Sequence, residues 1–223
     1  MVEPVRLVSY LPISQDDEER TVVKPTRQSL TERRAEELRM ALARTAMDLF
    51  VADGDTTATV EQIAEAAGVA PRTFYRHFAV KEDVVLPLFR RSSSRIAAAV
   101  RSSSPDVEVL EALVTAFHAA LNDARVSRAQ RSFLGLMMTN PQYRMRWLEV
   151  DEELQDAVAA LLQDRLGLGA DPFVHRLASH LLVSTAREVF EHWLTTDSGE
   201  GVDVMLRRGF GLVLAGIQTT VEA

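Results

Sequence analysis

The 223-residue chain has no cysteine, which excludes disulfide frameworks, thiol catalysis and cysteine-ligated zinc. Long apolar runs are missing too. Nothing approaches the roughly 18 consecutive apolar residues of a membrane span. The apolar stretch from Leu7 to Ile13 is broken by Pro12 and followed by the acidic run Asp16 to Glu19, which rules out a signal h-region. A soluble, cytoplasmic protein with no membrane partner is expected. Catalytic motifs are absent: there is no G-x-S-x-G elbow, no G-x-x-x-x-G-K phosphate loop, no G-x-G-x-x-G after a strand and no H-E-x-x-H. Gly209-Phe210-Gly211 falls inside a helical pattern. His175 and His180 are poorly spaced for one metal, and the adjacent Glu152 and Glu153 point in different directions on a helix. The expectation is no enzyme, no metal and no cofactor.

Hydrophobic residues make up 47% of the chain. A chain of this size buries roughly 70% of its unfolded surface, enough for one or two domains with a substantial core. The net charge of −7 conceals an uneven distribution. Arg20 to Arg44 carries seven basic and three acidic residues, Ala70 to Lys81 three basic and none acidic, and residues 92 to 223 carry 12 basic against 17 acidic. A basic front joined to an acidic remainder suits a DNA-reading part with a separate regulatory body; ordinary charge scatter gives the same counts.

Helical periodicity dominates, and no segment shows strand-type alternation, so the fold class is all-α. The pattern predicts a helix over 30–52, opened by the Ser29/Glu32 capping box and stopped by Asp53-Gly54-Asp55. A short helix follows over 60–67, opened by Thr59/Gln62 and ended by Gly68, then another from Pro71 to about Phe78. Beyond these, one helix is predicted over 81–100 with a bend at Pro87, and another from Ser104-Pro105 to about Asn122 or Asp123. An apolar stretch covers 128–138, and a single long helix runs from Asn140-Pro141 to Leu166. The last two cover Asp171-Pro172 to Thr195 and, after a loop at 198–201, 202–219.

The segment from Val60 to Ala79 reads VEQIAEAAGVAPRTFYRHFA. Ile63, Ala67, Val69 and Phe74 can share one small core, Ala64 permits a close crossing, and Gly68 supplies a left-handed turn: the requirements of a helix-turn-helix. Its second helix would enter the major groove by its N-terminal end. Arg72 there can address guanine bidentately, Thr73 a thymine methyl or a phosphate, and Tyr75 and His77 can donate to phosphates. Lys81 adds a cation at the start of the following helix. Short helix pairs with a glycine turn also occur in proteins that never touch DNA.

The segment TTATVEQIAEAAGVAPRTFYRHFAVKEDVV resembles the N-terminal domain of tetracycline-repressor-like (TetR family) regulators over about residues 30 to 90. The resemblance implies phosphate contacts from Thr59, Tyr75, His77 and Lys81, and base contacts from Arg72 and Thr73, on a double-stranded DNA operator. It implies a helix-turn-helix domain over 29–80 and an effector-binding, dimerising helical body over 81–223, with a homodimer through the last two helices and a palindromic operator. Residues 1–28 stand outside the pattern as an extension. Lys24 and Arg27 at its end could follow a minor groove, the alternatives being a disordered tail or a mis-assigned start.

Gly209, Gly211, Ala215 and Gly216 would let the last helices approach closely, within one chain or between two. Residues 139 to 194 resemble the C-terminal domain of mycofactocin- and acyl-CoA-responsive regulators through Asn-Pro, Arg-Trp-Leu, Arg-Leu-Gly-Leu and Glu-His-Trp-Leu. This implies a small-molecule effector that is acyl-CoA-like or otherwise apolar. Phe89, Phe117, Phe133, Met137, Met138, Trp147 and His180 are candidate pocket residues, with His118, Arg144 and His180 as polar candidates; for each, plain core packing is the alternative. The whole reads as a DNA-binding transcriptional regulator, in this family most often a repressor. The rival is a helical ligand-binding or interaction protein that has lost specific DNA binding.

Overall fold

The computed structural model describes residues 29–122, 128–168, 171–196 and 199–221. The extension at 1–28, Asp123 at an expected helix end and Ser198 in an expected loop lie outside the described residues. All regular structure among the described residues is helical. The first helix, α1 (Leu30–Asp53), opens on Ser29, whose Oγ accepts from the Glu32 N–H while the Glu32 carboxylate accepts from the Ser29 N–H. It stops at Gly54, whose φ of 73° is the left-handed conformation glycine adopts without a Cβ penalty. Next come α2 (Val60–Ala66), with the predicted Thr59/Gln62 box, and α3 (Pro71–His77), with Pro71 in its first turn.

Three boundaries differ from the sequence expectation. The helix expected over 81–100 is two elements, a 3-10 turn at Lys81–Val85 and α4 (Leu86–Arg101). Pro87 does not bend a long helix: it sits in the first turn of α4, where its missing N–H leaves no bond unmade. Ser104-Pro105 forms a turn, Val107 N–H donating to Ser104 O at 3.1 Å, and α5 (Val109–Asn122) begins only beyond it. After α6 (Arg128–Thr139), the helix expected over 141–166 is divided into α7 (Pro141–Leu148) and α8 (Glu152–Leu166). The division falls at buried Asp151, which turns inward to pair with Arg187. The chain ends in α9 (Pro172–Thr195) and α10 (Val202–Val221).

Two apolar cores result. One gathers Leu42, Ala46 and Phe50 of α1, Ile63 of α2 and Phe74 of α3 with Phe89 of α4, Phe133, Met137 and Met138 of α6 and Tyr143 of α7. The other lies among α4, α5, α8, α9 and α10 around Leu113, Phe117, Val158, Leu162, Leu182 and Phe210. Burying each Val, Leu, Ile, Phe or Met side chain in them contributes roughly 1.5–3 kcal/mol. Trp147 of α7 packs against both cores. α4 runs alongside α1, α5 and α8, so it connects the two.

Candidate DNA-reading surface and ligand cavity

The turn between α2 and α3 is closed by Val69 N–H donating to Ala64 O at 2.9 Å, with Gly68 at φ 69°. Ala70 is extended, and Thr73 N–H returns to Ala70 O at 2.8 Å, which starts α3. One residue of α3, Phe74, is fully buried, and its ring meets Phe78 at 5.1 Å and the edge of Tyr75 at 5.7 Å. This anchor turns Arg72, Tyr75 and Arg76 to solvent, with Tyr75 54% exposed and Thr73 half-buried. Thr59 is exposed at the start of α2 while its hydroxyl caps that helix.

Two of the expected DNA contacts sit differently. The Lys81 ammonium donates to Thr56 O at 2.8 Å, so one of its three donors holds the loop that precedes α2. Both ring nitrogens of His77 are buried without a hydrogen-bond partner among the described residues, and burial, helped by the nearby Arg39 and Arg76 charges, holds its pKa below the ordinary value. Asn140 Nδ2 donates to Thr56 Oγ1 at 3.0 Å, so the same loop is tied to the start of α7.

A cavity of about 390 Å³ lies where α1 meets the body. Of the residues expected to surround an effector, it brings together Phe89, Phe117, Phe133 and Trp147. Met137 and Met138 belong instead to the core beneath α1 and do not line it. His180 is exposed on α9 with its Nδ1 3.3 Å from Gln155 Nε2, and Arg144 is taken up by Glu191 at 2.8 Å; neither they nor the half-buried His118 reaches the cavity wall.

Other groups that line it were not anticipated: the polar Ser93 of α4, Asp151 before α8 and Arg187 of α9, the arginines Arg91 and Arg95 of α4, and Arg44 and Asp48 of α1 with the apolar Met40 and Met47. Arg187 donates from Nη2 to Asp151 Oδ2, and Ser93 Oγ lies 3.4 Å from Asp151 Oδ1. Burial pushes the Asp151 carboxyl above its ordinary pKa against the lowering pull of Arg187, Ser93 and His180. A signal for Arg187 was present in the sequence: it interrupts the buried stripe Val183, Ala186, Phe190 of α9.

Outward from the body, α9 exposes Phe173, Leu177 and Leu181, and α10 exposes Val204 and Leu212, the last 75% exposed. A Cβ on Gly209 would come within 2.8 Å of Thr185 Cγ2, so this glycine serves packing of α10 on α9 inside the chain. Gly211 and Gly216 have open space instead. Among the described residues no helix is long and apolar enough to cross a membrane, and no group of three or more acidic or histidine side chains could hold a metal ion.

Residues 42–88 match the family described as bacterial regulatory proteins, tetR family, and residues 105–218 match the MftR C-terminal domain. The HTH-type transcriptional regulator TcmR of Streptomyces glaucescens is 31% identical over 177 residues, 76% of this chain and 78% of that protein. Among solved structures, FadR of Thermus thermophilus in complex with lauroyl-CoA superposes with a TM-score of 0.63 at 23% identity, covering 80% of this chain and 94% of that one. FadR of Bacillus subtilis in complex with stearoyl-CoA gives a TM-score of 0.57 at 19% identity, covering 79% and 98%.

Proposed function

Since this chain belongs to the TetR family of bacterial transcriptional regulators, we propose that it acts as a homodimeric repressor whose grip on a palindromic operator is released by a small molecule held in the cavity. Residues 29–80 form the DNA-reading head in this reading, and residues 81–223 the effector-binding and dimerising body. Arg72 and Thr73 address bases, while Thr59, Tyr75 and the free donors of Lys81 address phosphates. His77 supports α3 from within.

The observation that carries the reading is that α1, the long helix of the head, itself walls the cavity through Met40, Arg44, Met47 and Asp48. A molecule that fits better when α1 and α4 stand in one arrangement shifts the heads toward that arrangement, by as much as its affinity differs between the two. The exposed apolar side chains of α9 and α10 suit a twofold interface through the last two helices. Such a dimer would set the two α3 helices about 34 Å apart, one turn of DNA. The acyl-CoA esters in the two FadR structures and the aromatic lining here support an acyl-CoA-like or otherwise apolar effector.

The test is binding of the purified protein to the DNA flanking its own gene, at two salt concentrations, against a scrambled duplex. Specific binding that weakens steeply with salt is expected. Arg72→Ala and Tyr75→Ala should each abolish it with helicity and dimer mass unchanged, and retained operator affinity in both refutes the assignment.

A further inference from the structure

The cavity contains one cation whose hydrogen-bonding capacity the protein leaves largely unspent. The Arg187 side chain is 16% exposed and that of Asp151 6%. Their contact is a single bond from Nη2 to Oδ2, and Arg187 Nε is buried with no partner among the described residues. A guanidinium carries five N–H donors in a fixed fork and cannot discard its charge, so unused donors in an apolar setting favour an incoming acceptor. The other arginines bordering the cavity, Arg44, Arg91 and Arg95, are exposed. Arg187 is the least exposed of the four, in a cavity that Phe89, Phe117, Trp147 and Phe190 also line.

Charge balance narrows the acceptor. Asp151 already neutralises Arg187, and a second anion beside a buried carboxylate would repel it where water is scarce. An uncharged oxygen takes up a free N–H without adding charge. We propose that Arg187 is the recognition residue of the effector cavity, its unused donors selecting an uncharged carbonyl oxygen (ketone, ester or thioester) on a ligand whose apolar body lies among the aromatic walls. This rests on the reading of the cavity as the effector site. Asp151, itself bonded by Ser93, holds the guanidinium in place, so Arg187 touches the ligand and Asp151 positions it.

Isothermal titration of the full-length dimer tests this with 2-acetylnaphthalene, 2-ethylnaphthalene, 2-naphthoate and dodecanoyl-CoA. The ketone should bind at least about tenfold tighter than the hydrocarbon of matched shape, as a hydrogen bond from a charged donor implies, and tighter than the carboxylate. In the double variant Asp151→Leu/Arg187→Met, which exchanges the ion pair for apolar groups, ketone and hydrocarbon should bind alike. Equal affinities in the unaltered protein, a tightest-binding carboxylate, a ketone preference that survives in the double variant, or no binding of any probe each overturn the proposal. If the double variant does not fold, the comparison in the unaltered protein decides alone. Dodecanoyl-CoA tighter than the ketone, weakened by Arg91→Ala and by the double variant, identifies a thioester source; the reverse order identifies a free carbonyl compound. Operator binding is followed in the same samples. A ketone that binds with the expected preference and leaves the operator complex intact upholds Arg187 and refutes the effector reading, while release of the operator by probes with no carbonyl preference does the opposite.

Discussion

The α2–α3 unit and the cavity treat polar atoms in opposite ways. In the first, Thr59 and Gln62 satisfy one another across a single turn, and one buried ring, Phe74, frees Arg72, Tyr75 and Arg76 to face solvent. In the second, Ser93, Asp151 and Arg187 come from three elements and meet inside, where their pairing is incomplete. A surface that meets a hydrated, charged polymer keeps its polar groups outside and needs only a rigid support. A cavity that selects a small molecule must hold a few polar groups among apolar walls and leave some donors for the guest.

That contrast is broken most forcefully at the support. Phe74→Ala removes the one fully buried side chain of α3 and should cost about 3–5 kcal/mol by the usual scale for deleting a core ring. Denaturant unfolding should show the loss, and operator binding should vanish although no DNA-facing group has changed. Undiminished operator binding at an unchanged unfolding midpoint would mean that α3 is held by something other than its ring. The connection between the two regions should yield to a milder change. Asn140→Ala deletes both the cap of α7, where Asn140 Oδ1 accepts from Gln142 N–H at 3.0 Å, and the bond to Thr56. A stability loss of about 1 kcal/mol is expected. Operator affinity and cavity binding should each survive, and the power of a bound molecule to release DNA should fall, read as a smaller ligand-induced change in operator affinity. Unaltered release would place the coupling wholly in α1 and α4.

The same contrast explains what the sequence disclosed. Ser29/Glu32, Thr59/Gln62, Gly54 and Pro71 act within four residues of themselves, so α1 to α3 could be placed with little error and the solvent exposure of Arg72 and Tyr75 followed. The break between α7 and α8 could not be placed, because an apolar pattern runs through it and its cause is an ion pair across 36 residues. The cavity was half legible for a related reason. Phe133 and Met137 lie one turn apart on α6, yet Phe133 reaches the cavity and Met137 turns beneath α1. Which way such a face looks is settled by the helices around it, and spacing alone is silent on that.

The smallest expected effect sharpens the comparison at His77, where the sequence proposes a phosphate contact and the folded head leaves the residue half-buried with both ring nitrogens covered. Burial, with Arg39 and Arg76 nearby, keeps its folded pKa below the 6.5 of a free histidine, so the unfolded chain takes up the proton first. The stability tied to the neutral ring is therefore complete above about pH 6.5 and declines as pH falls below it. Phenylalanine occupies a similar space without the two unpartnered nitrogens or the proton. Thermal melting of His77→Phe should match or exceed the parent at pH 7.5, and its advantage should widen toward pH 5. If both proteins lose the same melting temperature on acidification, the ring does not titrate from a buried state. Operator binding at pH 7.5 decides between the two roles independently: a ring that supports α3 from inside tolerates phenylalanine with less than about a twofold change, whereas a phosphate donor loses its hydrogen bond and the operator affinity drops severalfold.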